Sequence, residues 1–476
     1  MEQKIILFGA GKRGLEALEQ FGDKVVYFCD NDFEKIGQFI EGKEVISFNE
    51  MVKLRKKGYY IIVTPLQSRT MCQQLKQHGI HNFIPYYSLQ QSNLGYFECY
   101  ECMERQKKLD YKELDLYLNE VEKLDLLTDI SRFKSITKHL LYNYKVQKNK
   151  KYIEYKYGES GFYGNLDAIL NYAEMNKTDI KYFPTISHLD THVWGFSTDI
   201  KKGVIISGER YKKFIHKNYS YVPVYTIGPY IHYVEGIYSE EQLKEMKEKY
   251  GKILTIFMPH STEAIDISYR EKEFVDRILA RYEKQFDTIW ACVYWTDINS
   301  SACMYLEQRG IHIVSAGFRF DSMFDRRLKT ILELSDGIAC GGVGTMISFA
   351  LYLNKPVAMF FADQKSIDSN SRDDQHFWMT GDAELCREGY KQIFNEELKI
   401  TKEQIEFMNE VSGFDKVRDK SYFKVVLEIS KDIWKLCGYD ESKYPIGVYS
   451  AYEFYRRTGD IEKLLILREA LGDNFI

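Results

Sequence analysis

Residues 335–364 read SDGIACGGVGTMISFALYLNKPVAMFFADQ. The stretch holds a short apolar run, a glycine-rich turn, a helical run, then Lys-Pro and a second apolar run. That order predicts strand, turn, helix and strand, one unit of a parallel α/β sheet. Gly341, Gly342 and Gly344, with Val343 and Thr345, fall where the strand hands over to the helix. Glycines let another group approach the backbone closely, and the N–H groups at a helix N-terminus favour an anion such as phosphate. The Thr345 hydroxyl is expected to add a hydrogen bond and to cap the helix. A turn shaped only for packing would also use glycine, so the neighbouring elements decide.

Those neighbours repeat the pattern. KILTIFMPHST (252–262), DTIWACVYW (287–295), IHIVSAG (311–317), DGIACGG (336–342) and KPVAMFF (355–361) supply five strands separated by helical text. Ligands of open α/β sheets bind beyond the carboxyl ends of the strands. His260, Ser261 and Thr262 end the first strand, Gly317, Phe318 and Arg319 follow the third, and Asp363 and Gln364 end the fifth. A histidine so placed can hydrogen-bond a phosphate or protonate a leaving one, although a lone histidine is more often structural. Arg319 suits a phosphate or, more plainly, a surface ion pair.

Before this block, KYIEYKYGESGFYGNLDAILNYAEM (151–175) reads as strand, loop and helix, and DIKYFPTISHLDTHVW (179–194) as a strand and a polar loop. KGVIISG, RYKKFIHK and VPVYTIGPY continue as strand, helix and strand. The loop gathers His188, Asp190, His192 and Trp194. Asp or His is the usual general base for a hydroxyl; two histidines flanking an aspartate would also suit a metal, but a third ligand is not evident.

The chain opens on KIILFGAGKRG, with Gly9, Gly11 and Gly14 directly after an apolar run, and KVVYFCD ends on Asp30. GKEVISF, YYIIVT and HNFIPY add strands. A G-x-G-x-x-G turn in that setting suits a nucleotide, with Asp30 on a ribose hydroxyl; packing alone is the other reading. Residues 98–150 follow as helical text without Pro or Gly, ending in the basic run YKVQKNKKY, which suits a solvated face better than a lipid-headgroup patch.

With 476 residues the chain exceeds one ordinary core. Apolar residues make up 45% and charged residues 28%, as in globular proteins, and a net charge of −4 argues against a nucleic-acid partner held by phosphate neutralisation. No apolar run reaches the roughly 18–20 residues of a membrane helix, and the N-terminus lacks a signal-peptide pattern. Nine scattered cysteines fit reduced thiols; Cys99 and Cys102 alone have ligand-like spacing, and no second pair lies nearby. A cytoplasmic protein is expected, compatible with peripheral attachment to the inner face of a membrane.

The first hundred residues, through FGAGKRG, FCDND and GKEVISFNEM, resemble the sugar-epimerase-like Rossmann modules found beside bacterial sugar-modifying domains. No Tyr-x-x-x-Lys of a short-chain dehydrogenase lies within them. From about residue 150 to 400, IFMPHST, GPYI and SAGFRFDSMFDRRLKTILELSDGIACGGVGTMISFALYLNKPV resemble bacterial GT-B glycosyltransferases of surface-polysaccharide or glycoconjugate biosynthesis. The resemblance implies an α/β fold: a GT-B-like pair of Rossmann-like domains, an extra N-terminal Rossmann-like domain and a helical C-terminal segment. The expected division is 1–97 nucleotide-binding module, 98–150 connector, 151–235 acceptor side, 236–400 donor side and 401–476 C-terminal helices.

The resemblance further implies a nucleotide-sugar donor (UDP-, GDP- or CMP-linked), no metal, and a glycan, lipid-linked or protein acceptor. Gly341–Thr345 and His260–Thr262 would hold phosphate, Gly317–Arg319 the base, and Asp363 and Gln364 the sugar hydroxyls. Asp190, with His188 and His192, would serve as base. Ser348 stands where many such enzymes carry a ribose-binding glutamate, which leaves the nucleotide open. A teichoic-acid-type polyol-phosphate transferase and a non-catalytic nucleotide-sugar-binding scaffold are the alternatives.

Overall fold

The computed structural model describes residues 4–55, 59–65, 71, 74–75, 77–80, 83–86, 115–147, 158–187, 202–260, 267–362, 365–366, 382–440 and 443–472. In the described residues the chain is an α/β protein built on three mainly parallel sheets and closed by helices.

The first sheet comprises β1 (Ile5–Phe8), β2 (Val25–Cys29), β3 (Phe39–Ile40), β4 (Lys43–Ile46), β5 (Tyr60–Val63) and β6 (Phe83–Pro85), in the order β3-β4-β2-β1-β5-β6. Among the described residues of this sheet, only the β3–β4 pairing is antiparallel. All four residues of β1 are buried, as a parallel strand covered on both faces requires. α1 (Lys12–Phe21) and α2 (Phe48–Arg55) cross over between strands.

After residues 115–121, which are helical, comes α3 (Ile130–Gln147). Of this connector, Tyr117, Leu118, Val121, Leu124, Leu126 and Phe133 are buried in the core of the block that begins near residue 253. Arg327, with no exposed surface, fixes them there by donating to the Val121 and Leu124 carbonyls at 2.8 and 3.3 Å, while pairing with Asp321 at 2.5 Å.

A 3₁₀ segment (Gly158–Gly164) leads to α4 (Asn165–Ala173), then β7 (Thr185–Ile186), β8 (Val204–Ile206), α5 (Glu209–Asn218) and β9 (Val224–Thr226), a parallel sheet ordered β7-β8-β9. The strand expected within DIKYFPTISHLDTHVW (179–194) is present as the short β7, Thr185–Ile186, and the residues before it form a 3₁₀ turn, Lys177–Tyr182. Lys177, Thr178 and Asp179 offer no apolar alternation, and extended backbone starts only around Pro184, which restricts the residue before it. The strand read in KYIEYKY lies outside the described residues.

α6 (Glu240–Tyr250) links to the third sheet: β10 (Ile253–Phe257), β12 (Thr288–Cys292), β13 (His312–Val314), β14 (Gly337–Cys340) and β15 (Val357–Met359). Their order is β13-β12-β10-β14-β15, all parallel. The five strands expected from the sequence are the five observed. α7 (Glu271–Tyr282), α8 (Ser301–Gln308), α9 (Phe324–Leu334) and α10 (Thr345–Tyr352) intervene, and a short β11 (Ile267–Ser268) pairs antiparallel with β16 (Lys365–Ser366).

Side chains alternate along β10. Ile253 and Phe257 face one core, shared with Ile186, Ile205 and Tyr225 of the second sheet; Leu254 and Ile256 face the other. The second and third blocks are thus joined by one continuous apolar core. α11 (Asp382–Ile393), α12 (Lys402–Ser412), α13 (Lys420–Leu436), α14 (Tyr444–Thr458) and α15 (Ile461–Leu471) pack back over both: α12 contacts α5 and α10, α13 contacts α4, and α15 contacts β9. Among the described residues no helix is long and apolar enough to cross a membrane.

Candidate functional site at the reversal of the third sheet

The chain enters the third sheet at β10 in its middle, builds outward to β13, then crosses to β14 and β15 on the other side. The order reverses between β10 and β14, whose ends are in register as Phe257 and Cys340. Loops leaving such a pair diverge and open a crevice. Met258-Pro259-His260 leaves β10 and Gly341–Thr345 leaves β14, so sequence and topology nominate the same place.

The glycines of this turn differ in purpose. A Cβ on Gly341 would lie 2.6 Å from Pro259 Cγ and 2.8 Å from Phe274 Cε2. Its lack of a side chain is a packing requirement. A Cβ on Gly344 would meet only the Met346 thioether, at 2.5 Å to Sδ, and that side chain can swing aside. Gly344 is extended, with φ −165°, and is the N-cap of α10. Thr345 is therefore the first helical residue, one position too late to cap, and no side-chain cap bond forms; the capping role expected of Thr345 is corrected. Gly342 through Thr345 are half-buried, and Val343 leans on the core shared by the two blocks. One turn into α10, Ser348 is fully buried and its hydroxyl has no hydrogen-bond partner.

His260 packs tilted against Tyr294, with centroids 4.4 Å apart and 35° between planes. Beside this pair lies a cleft of about 160 Å³, lined by His260, Tyr269, Glu271, Tyr294, Asp297 and Ser301 among others. Burial pushes the Tyr269 hydroxyl up, and the carboxylates of Glu271 and Asp297 add to the shift. Sequence reasoning missed this cleft. The rule that picked His260 at the end of β10 applies equally to YWTDINSS at the end of β12.

The loop after β13 is held from several sides. Gly317 has φ +105°, where a Cβ would lie 2.9 Å from Asp321 Oδ2. Phe318 is buried against Trp295, centroids 4.4 Å apart. The Arg319 guanidinium lies over Phe162 and Phe320, at 4.8 and 5.2 Å from their centroids, so its charge is stacked. The Arg319 carbonyl accepts from Tyr163 N–H at 2.5 Å, and a Cβ on Gly164 would be 2.3 Å from the Ser322 carbonyl. This loop is where the second block docks on the third.

In the first sheet, Gly9 has φ +117° with Thr64 crowding the place of a Cβ at 2.5 Å; a Cβ on Gly14 would lie 2.3 Å from the Gly9 carbonyl; Gly11 is open. Asp30 Oδ2 accepts from Ala10 N–H at 2.8 Å and lies 3.4 Å from Lys35 Nζ, while Oδ1 accepts from Asp32 N–H. Asp30 thus pins the glycine turn. His188, Asp190, His192 and Trp194, Ser261 and Thr262, Asp363 and Gln364, and Cys99 and Cys102 lie outside the described residues.

No protein-family model matches the chain, and no curated protein is similar to it in sequence. Solved structures that align with it include a UDP-glucosyltransferase from Polygonum tinctorium (10% identity, 90% of this chain and 98% of that one, TM-score 0.24). Arabidopsis thaliana UGT89C1 aligns at 8% identity over 94% and 98%, with TM-score 0.26. Medicago truncatula UGT71G1, complexed with UDP-glucose, aligns at 11% over 90% and 94%, with TM-score 0.21. TM-scores of this size carry no argument about function; the chain's own geometry does.

Proposed function

We propose that the chain is a glycosyltransferase that moves a sugar from a nucleotide-sugar donor to a hydroxyl of a bacterial surface-glycan or glycoconjugate acceptor. The observation that carries the reading is the coincidence of the β10/β14 reversal with a glycine turn at the start of α10. Donor phosphates would take the N–H groups around Gly342–Thr345, with His260, Ser261 and Thr262 opposite and the base near Gly317–Arg319. Asp363 and Gln364 would serve the sugar. Residues 151–235 would form the acceptor side, 236–400 the donor side, 98–150 the connector and 401–476 the closing helices; 1–97 would be a nucleotide-binding or docking module.

In the reaction the acceptor oxygen attacks the anomeric carbon as the bond to the nucleotide's phosphate oxygen breaks. The acceptor proton passes to Asp190, oriented by His188 or His192, and the electron pair leaves with the nucleotide. No metal is required, because helix N–H groups and His260 can meet the developing phosphate charge. A thermal-shift screen of UDP-, GDP- and CMP-sugars tests the reading: at least one should raise the melting temperature and release its nucleotide slowly. Absence of both effects across the set would overturn it.

A further inference from the structure

The cleft beside His260 is built differently from the phosphate turn. It holds two carboxylates, Glu271 and Asp297, the hydroxyl of Tyr269 and the tilted, contacting rings of His260 and Tyr294. Carboxylates accept hydrogen bonds and repel phosphate, whereas ring faces cover apolar C–H surface. The volume, about 160 Å³, is close to the roughly 150 Å³ that takes a bare six-membered ring such as benzene, and the cleft is open to solvent, where a sugar's substituents would project. The cleft also adjoins the turn: Pro259 lines it and abuts Gly341, and Phe274, one helical turn after Glu271, packs on Gly341 as well. A ligand with phosphate at the turn and a ring one bond further on would span both.

We infer that this cleft receives the donor's sugar ring, with Glu271 and Asp297 accepting hydrogen bonds from two of its hydroxyls, in addition to those assigned above to Asp363 and Gln364, and Tyr294 covering one ring face. The inference rests on the donor reading above and names a site in it. It explains why acidic side chains stand so near a phosphate turn: they orient the donor by admitting its uncharged, polyhydroxylated end and rejecting its charged end.

Calorimetry with UDP, GDP and CMP, each against UDP-glucose, GDP-mannose and CMP-N-acetylneuraminate, tests it. The wild-type chain should bind one conjugate more tightly than its bare nucleotide. In Glu271→Gln, Asp297→Asn and the double variant that advantage should fall, by roughly 10- to 100-fold for the double, with bare-nucleotide affinity unchanged. Ser301 is exposed at the cleft, so Ser301→Trp should fold and act in the same direction by filling it. A sugar advantage that survives all these variants, or is absent in the wild type, or is lost only in Asp363→Asn, overturns the inference and leaves the donor reading intact. Failure of every nucleotide and conjugate to bind overturns both.

Discussion

His232 Nδ1 lies 2.6 Å from the Tyr352 hydroxyl, joining the link that follows β9 to the last turn of α10. The helix that begins at the glycine turn is thus tied at its far end to the junction of the second and third blocks. Tyr172, Tyr233 and Phe423 pack edge-on around the same point. Tyr352→Phe removes the bond and keeps the ring. It should lower unfolding stability by about 1 kcal/mol in urea titration, and an unchanged midpoint would mean that the ring packing alone holds the junction.

Acid should loosen the fold before the carboxylates titrate. Burial lowers the pKa of His216, His232 and His312, for His232 with help from Lys329. The folded state therefore holds these rings neutral, while the unfolded chain takes up protons at the ordinary histidine value of about 6.5. Their contribution is present above that value and is lost as pH falls below it. Melting temperature should drop between about pH 6.5 and 5, and His232→Gln should flatten part of the drop. A flat profile in the wild type would contradict the assignment.

The two ends of the glycine turn should respond oppositely to a methyl group. Gly341→Ala forces a methyl group against the rings of Pro259 and Phe274, and should cost about 1–3 kcal/mol. Gly344→Ala should fold almost normally. Gly344→Val should also fold, by circular dichroism, and yet lose nucleotide binding, because its branched side chain blocks approach to the start of α10. Retained affinity in Gly344→Val would remove the phosphate site.

The buried Asp321–Arg327 pair should behave as a structural pin. Arg327→Met leaves a carboxylate without its partner and frees the Val121 and Leu124 carbonyls. A loss of about 3–5 kcal/mol is expected in equilibrium unfolding. Asp321→Asn with Arg327→Met should recover part of it; no recovery would place the damage in packing.

For the acceptor side, Asp190→Asn should cut turnover by about 10²–10⁴-fold with donor affinity unchanged. If His192→Ala cripples turnover and Asp190→Asn does not, the base is His192. NMR of the product's anomeric centre should show inversion; retention would exclude this use of a base. Deleting residues 1–97 should leave a folded chain that still binds the donor, and loss of binding would move part of the site into the first module.

The sequence by itself determined the five strands of the third sheet and their order along the chain. Runs such as ILTIF and GIAC are short and apolar because parallel strands are covered on both faces, and the glycine turn after GIAC announces a handover to a helix. It also marked His260 and Gly341–Thr345, since the ends of strands are where such sheets bind ligands. Tertiary structure alone decided which glycines serve packing. Gly341 is fixed by Pro259, 82 positions earlier, and no local pattern encodes that contact. It decided that Asp30 pins Ala10, that Arg319 stacks on Phe162, and that residues 117–133 belong to the core beneath Phe318. It also assembled the cleft from Glu271 and Asp297, which stand on separate elements. Periodicity reports which side of an element is apolar; it does not report what meets that side, because contacts between elements depend on sheet order and crossover.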